Sequence, residues 1–338
     1  MKKHIKPKRL NPGDKVATIS ISGGRAGDPD MIDRYYVGKE RIEKIFGLEV
    51  VETPCALKGS DFIKDNPRAR VNDLHGALLD PQIKAIITNM GGDDSYRLLP
   101  YIDYTIIHDN PKIYIGFSDI SSTHNMFTYA GVSSFYGPSL LTPIAQPVAL
   151  DPYTEEMMRR VLFSAEVIGE IKPCTRHTKI EWSKSKEEDI QWEDNPGYEV
   201  FQGRGKVQGR LMGGCGGPLQ QMMGTKVFPD AEMWKDAILF LECPAPYGKL
   251  SGLHHLRALA ATGMFRLAKG LICAHMTEDD KENLAQVIRK EEGLYNLPVL
   301  LNIDFGHRTP MATLPIGALA EIDCTQGSFS ILESGVIA

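Results

Sequence analysis

Ile113-Tyr114-Ile115-Gly116-Phe117-Ser118-Asp119-Ile120 is the stretch on which the fold turns. An apolar run of strand length meets an amphipathic segment, 119–129, at a single serine. A tight strand-to-helix turn of this kind lifts the side chain above the sheet edge. Ligands of open α/β sheets collect at that edge. The Ser118 hydroxyl is therefore expected in the open, with the N–H of Asp119 at a helix N-terminus, where it can stabilise an oxyanion. Gly116 leaves room for the bend. The pattern stops short of GxSxG, because Ile120 replaces the second glycine. The same residues also suit a plain helix start, with Ser118 or Asp119 as the cap.

Working outward, residues 15–21 read as a second buried strand, ending at Ser22-Gly23-Gly24. Residues 84–88 read as a third, ending at Gly91-Gly92, and 33–46 as a helix between the two. Near-continuous apolar strands with helices between them imply a parallel sheet covered on both faces. Residues 1–145 are accordingly an N-terminal α/β domain with a mainly parallel sheet. Pro143, Pro147 and Pro152 mark a crossing, and 146–178 are the inter-domain connection. Residues 179–338 form a C-terminal mixed α/β domain. Its expected strands are 237–241, 270–274 and 298–303, with a closing hairpin of 318–322 and 328–332 around Thr325-Gln326-Gly327. A polar loop near 181–200 carries Trp182 and Trp192 and the charge run 184–189. Tryptophan argues against plain disorder there.

The whole-chain arithmetic agrees with a folded enzyme. The 338 residues are 42% hydrophobic and 24% charged, which excludes a disordered or collagen-like chain. The 38 basic and 43 acidic residues give a net charge of −5, no footprint for a nucleic acid polymer. The basic cluster Lys2, Lys3, Lys6, Lys8, Arg9 reads as a solubilising leader. Leu10-Asn11-Pro12-Gly13-Asp14 follows it rather than a signal-type apolar region, and no stretch reaches the roughly 18 apolar residues of a membrane span. A cytoplasmic protein without membrane contact is expected. The six cysteines form no CxxC pair and imply reduced thiols. HExxH is absent, and the adjacent His254-His255 would diverge on a helix, so no metal is expected. GxxxxGK[ST] is absent, and Gly91-Gly92, Gly203-Arg204-Gly205 and Gly213-Gly214-Cys215-Gly216-Gly217 do not fit GxGxxG, so neither a phosphate loop nor a dinucleotide fingerprint is present.

A nucleophilic serine needs a base, and the base needs an orienter. Glu242 ends the apolar run 237–241. His307 lies in Asn302-Ile303-Asp304-Phe305-Gly306-His307-Arg308-Thr309-Pro310, just past a strand. His275 ends a strand and His124 stands six residues beyond Ser118, so both compete for the role of base. Taken singly, each candidate also reads as a solvated rim acid or a satisfied loop histidine. Three of them at three strand ends, in the order Ser, Glu, His, make a more specific set. Gly91-Gly92 lets backbone approach a ligand and offers a second oxyanion donor, or is an ordinary tight turn.

Several segments together resemble the LD-carboxypeptidase family of serine peptidases, and within it the microcin-immunity (MccF-like) branch. They are Pro12-Gly13-Asp14-Lys15-Val16-Ala17, Asn89-Met90-Gly91-Gly92 with Arg97-Leu98-Leu99-Pro100-Tyr101-Ile102-Asp103, the elbow 116–120, Gly209-Arg210-Leu211-Met212-Gly213-Gly214, the strand 238–242, and Gly306-His307 with Thr313-Leu314-Pro315-Ile316-Gly317. The resemblance spans nearly the whole chain. It implies a cofactor-free cytosolic hydrolase, commonly a homodimer, with its active site between the two domains. By resemblance Ser118 is the nucleophile, His307 the base and acid, and Glu242 the orienter, with the N–H groups of Asp119 and Gly91 or Gly92 as oxyanion hole. The substrate would be a small molecule or short peptide. One branch removes terminal D-alanine from wall-recycling muropeptides. The other cuts the acyl–nucleotide amide of microcin C-type aminoacyl-adenylate analogues.

The second branch looks longer between the domains, with a tryptophan-bearing loop. Trp182 and Trp192 resemble that loop. A tryptophan there would stack on adenine, worth on the order of 1–3 kcal/mol per base, or else pack the loop onto the domain or a partner. Two departures stand out. Cys215 occupies a substrate-lining position where asparagine is expected in some immunity-branch members, and Lys184-Ser185-Lys186 replaces a more acidic start. A non-catalytic small-ligand-binding α/β protein would share the scaffold without needing the triad. A nicotinamide-dependent oxidoreductase would need the glycine fingerprint that is missing.

Overall fold

The computed structural model describes residues 4–179, 190–242 and 249–338. In chain order the strands of the first half are β1 (Lys15–Ile19), β2 (Glu49–Glu52), β3 (Ile83–Thr88), β4 (Ile113–Gly116) and β5 (Phe135–Tyr136). They are followed by β6 (Gly169–Ile171), β7 (Arg176–Lys179), β8 (Glu193–Asp194), β9 (Glu199–Gln202), β10 (Lys206–Cys215) and β11 (Ala237–Glu242). The last are β12 (Gly270–Cys273), β13 (Val299–Leu301), β14 (Arg308–Thr309), β15 (Leu314–Pro315), β16 (Leu319–Asp323) and β17 (Ser328–Ile331).

Three sheets result, ordered β15-β5-β4-β3-β1-β2, β6-β17-β16-β10-β11-β12-β13-β9 and β14-β7-β8. β1 to β5 are mutually parallel, as the apolar runs of β1, β3 and β4 imply. Successive residues point to opposite faces, and both faces are covered. Val16, Ile87 and Ile115 enter one hydrophobic cluster. Their neighbours Ala17, Ile86 and Tyr114 enter another, packed with Val71 and Leu74 of the helix Pro67–Leu79 and with Met126 and Phe127 of the helix Ile120–Tyr129. The second sheet is mixed. β10 to β13 are parallel, and β16, β17, β6 and β9 add antiparallel edges. The chain is thus the mixed α/β protein its sequence implies.

The two larger sheets interleave along the chain. β6 lies within 146–178 yet pairs with β17 of the second sheet. β15, near the C-terminus, returns to pair with β5 of the first. Strand order in the first sheet reverses between β1 and β3, and the loops after β1, β3 and β4 leave that carboxyl edge together, the place where such sheets bind ligands. The small third sheet is laid down by polar residues at 176–179, 193–194 and 308–309, so β14 begins immediately after His307. Among the described residues, no helix is long and apolar enough to cross a membrane. Nor, among them, does any group of three or more His, Cys, Asp or Glu side chains lie where it could hold a metal ion.

Candidate active site

Ser118 stands between β4 and the helix Ile120–Tyr129 with φ of 66°, a left-handed conformation that non-glycine residues seldom adopt. This is the strained elbow read from 113–120. Gly116 is needed because a Cβ there would lie 2.1 Å from Thr88 Oγ1. Asp119 occupies the cap position without making a side-chain cap bond. Its Oδ2 instead accepts from Ser22 Oγ at 2.5 Å and from the Ser95 N–H at 2.9 Å. Ser95 Oγ in turn donates to the Asp119 carbonyl at 2.8 Å. Burial pushes this carboxyl above the usual range, against the pull of its donors. The side chain thereby ties the loops after β1 and β3 to the elbow, and its backbone N–H stays with Ser118.

Gly91 meets Ser118 directly. A Cβ on it would stand 3.2 Å from Ser118 Oγ and 3.4 Å from the Asp119 nitrogen. Gly92 faces away, toward Ser22 Oγ at 2.4 Å and the Gly23 nitrogen at 2.8 Å on the same measure. The Gly23 N–H donates to the Gly91 carbonyl at 2.9 Å, fixing the glycine loop. A cavity of about 660 Å³ opens beside it, with Ser22, Arg25, Lys64, Tyr96 and Arg97 in its walls.

Glu242 ends β11 and is 4% exposed. Its Oε1 accepts a hydrogen bond from His307 Nδ1. The imidazole sits edge-on to Phe117, ring centroids 5.2 Å apart, which brings it to the elbow. With Nδ1–H committed to Glu242, Nε2 remains as the basic nitrogen. Burial of the ring works against its charged form, but the charge and hydrogen bond of Glu242 outweigh it and hold His307 above its ordinary pKa. Gly306, φ 87°, makes the approach possible: a Cβ there would fall 1.3 Å from Glu242 Oε2.

The competing histidines are used elsewhere. His124 is 1% exposed, with Nδ1 on Ser134 Oγ at 2.8 Å and Nε2 on the Gly116 carbonyl at 2.9 Å. Burial lowers it to about 4, so it is a neutral strut under β4. His275 Nε2 lies 2.9 Å from Asp304 Oδ1. That buried carboxylate also accepts from Asn195 Nδ2 and the Cys174 N–H, and braces the segment leading to His307.

Cys215 ends β10 beside Glu242 in the strand register and is 4% exposed. Trp192 lies just before β8, and the Arg176 guanidinium is stacked 4.2 Å from its ring centroid. Trp182 and the charge run 184–189 lie outside the described residues. The strands flanking them, β7 and β8, share the small sheet with β14.

Two residues escaped the sequence reading. The Tyr136 hydroxyl accepts from the Ser118 N–H at 3.2 Å and reaches Glu242 Oε2 at 3.5 Å. Ser121 Oγ donates to the Ser118 carbonyl at 2.8 Å and accepts from the Cys215 N–H at 2.9 Å. Ser121 follows the elbow by one helical turn, a spacing that could have been noticed. Nothing local distinguishes Tyr136 from any other buried strand aromatic.

Comparison with known proteins identifies the family. The LD-carboxypeptidase N-terminal domain matches residues 16–137, and the LD-carboxypeptidase C-terminal domain residues 208–322. The putative carboxypeptidase YocD of Bacillus subtilis (strain 168) is 31% identical over 335 residues, 96% of this chain and 97% of that one. The microcin C7 self-immunity protein MccF of Escherichia coli is 29% identical over 318 residues, 89% of this chain and 88% of that one. The crystal structure of an MccF-like protein from Streptococcus pneumoniae in complex with AMP superposes with a TM-score of 0.86 at 28% identity, covering 94% of this chain and 98% of that one. The chain belongs to the LD-carboxypeptidase family of serine peptidases, in its MccF-like branch.

Proposed function

We propose that this peptidase hydrolyses the acyl–nucleotide amide of microcin C-type aminoacyl-adenylate analogues, with Ser118, His307 and Glu242 as its triad. The observation that supports the triad is the buried Glu242 carboxylate holding the His307 ring edge-on to Phe117, the residue before the left-handed Ser118. Ser118 Oγ attacks the acyl carbon while His307 Nε2 takes the hydroxyl proton. The N–H groups of Asp119 and of Gly91 or Gly92 receive the oxyanion. His307 then returns the proton to the leaving nitrogen as the C–N bond breaks, leaving an acyl-serine. Water, deprotonated by His307, releases the carboxylate and restores Ser118.

The adenylate reading is supported by the likeness to MccF and to an MccF-like protein that binds AMP. It is also supported by the strands on either side of the tryptophan segment, of which β7 pairs both with β14, directly after His307, and with β8. Trp182 or Trp192 would carry the base, with Arg176 already on the Trp192 ring. A second reading, removal of the terminal D-alanine of muropeptides, is favoured by Cys215 standing in place of a polar amide. In either case a cytoplasmic homodimer is the proposed form.

The test is hydrolysis of aspartyl sulfamoyl-adenosine beside an L-Lys–D-Ala-terminated muropeptide, with Ser118→Ala as blank. Adenylate cleavage alone is expected, and the blank should lose on the order of 10⁶ in kcat. Muropeptide cleavage alone would replace the first reading by the second. Undiminished activity in Ser118→Ala would refute the triad.

A further inference from the structure

The nucleophile and its acid come from different sheets, Ser118 from the end of β4 and Glu242 from the end of β11. A triad works only when its members are held to a fraction of an ångström, so something must carry register across the gap. Two side chains do so. The N–H of Ser118 donates to Tyr136, whose hydroxyl reaches Glu242. The carbonyl of Ser118 accepts from Ser121, whose oxygen accepts from the Cys215 N–H. Cys215 and Glu242 are register partners on β10 and β11. The peptide groups on both sides of the nucleophile are thus each tied to adjacent residues of the other sheet.

We propose that Tyr136 is a positioning residue of the hydrolysis, its hydroxyl coupling the Ser118 elbow to the Glu242 carboxylate and thereby setting the basicity of His307. The inference rests on the triad reading above. Tyr136 is fully buried, its ring fixed against Phe240 at 5.4 Å and Phe305 at 6.1 Å between centroids, so the hydroxyl oxygen is held among Ser118, Ser121 and Glu242. Burial, then the Glu242 charge, then Cys215 hold the phenol far above its usual range, so it stays a neutral donor. A donor on Oε2 spreads the carboxylate charge that Oε1 presents to His307. Loss of that donor strengthens the carboxylate's hold on the imidazolium. It also frees the Ser118 N–H in a turn that is strained to begin with.

The experiment is Tyr136→Phe, with Tyr114→Phe as control. Tyr114 is equally buried and its hydroxyl pairs with Thr123 at 2.7 Å, away from the triad. The His307 pKa is read by NMR titration of the imidazole, its signal assigned by loss in His307→Ala. The pH profile of kcat is read with whichever of aspartyl sulfamoyl-adenosine and the D-Ala-terminated peptide is cleaved. Tyr136→Phe is expected to raise the His307 pKa by about half a unit and to lower kcat roughly tenfold, with KM within about twofold, the scale of one hydrogen bond to a charged group. Tyr114→Phe should move neither pKa nor kcat. An unchanged His307 pKa in a folded Tyr136→Phe protein would overturn the proposal, as would an equal shift in the control. If Tyr136→Phe does not fold, Tyr136→3-fluorotyrosine keeps the hydroxyl and makes it a stronger donor, and the pKa must then fall. Failure of the triad reading would appear separately, as activity retained in Ser118→Ala.

Discussion

Ser118 keeps a backbone conformation that costs a non-glycine residue of order 1–3 kcal/mol, and such a cost persists only where surroundings over-determine it. Here they do: the amide on each side of the residue has a side-chain partner, and Gly91 and Gly116 clear the space around it. The histidine is set by an opposing pair of effects. Burial alone would lower the His307 pKa, and Glu242 lifts it above the ordinary value of 6.5. With the neutral ring as the proposed base, kcat/KM is expected to fall as pH drops through that raised pKa, with the midpoint above 6.5. Glu242→Gln removes the charge while keeping the shape. Its acid limb should move to lower pH because only burial remains, and kcat should drop by about 10⁴, as for the corresponding amide variant of a serine protease. A pH–rate profile of the two proteins checks both. An acid limb that stays in place would mean that another group titrates.

At the scale of elements, β1, β3, β4, β11, β12 and β13 could be read ahead because strands buried on both faces announce themselves as apolar runs, and β16 and β17 because a turn at Thr325-Gln326-Gly327 separates them as a hairpin. β10 could not. Its ten residues include Gly209, Gly213 and Gly214, which lower strand propensity and read as loop. The glycines are there because β11 and the elbow helix pack against the backbone itself. A Cβ at Gly213 would lie 1.8 Å from the Phe240 carbonyl oxygen, and one at Gly214 would lie 2.6 Å from Ser121 Oγ. Gly213→Ala is therefore expected to destabilise the fold by about 3 kcal/mol or more, since the obstacle is backbone that cannot yield. The urea midpoint measures it, and a loss below about 1 kcal/mol would show that β10 and β11 can part without cost. The third sheet was equally illegible, because β7, β8 and β14 are short and polar and exist only through each other. Ser118, Glu242 and His307 were legible for a different reason. A polar residue closing an apolar run stands out, whereas Tyr136 acts through a hydroxyl on a strand that is apolar anyway. The Glu242–Gly306 approach likewise appears only once the chain has folded.

For the molecule as a whole, the question is whether the two sheets behave as two bodies. Family matching divides the chain at 137 and 208, and a cleft between hinged domains would suit an enzyme that closes on its substrate. The connections argue for one body. The largest hydrophobic cluster runs without interruption from Val16, Ile115 and Phe135 of the first sheet to Phe240, Leu300 and Ile322 of the second. β15 completes the first sheet with residues that follow His307, and isolated bridges join Ile5 to Val132, just before β5, and Lys8 to Ile337 near the other end of the chain. The segment bearing His307 is anchored at β13 in one sheet and β15 in the other, so separating the sheets would pull the proposed triad apart. Unfolding should then be a single transition. The three tryptophans, Trp182, Trp192 and Trp234, all fall in the C-terminal half, whereas far-ultraviolet circular dichroism reports both halves. Urea titrations followed by tryptophan fluorescence, by circular dichroism and by hydrolysis are expected to share one midpoint, the usual test of all-or-none behaviour. If circular dichroism fell in two steps while fluorescence fell in one, the first sheet would be unfolding on its own. The continuous core and the strand exchanged through β15 would then be too weak to join them.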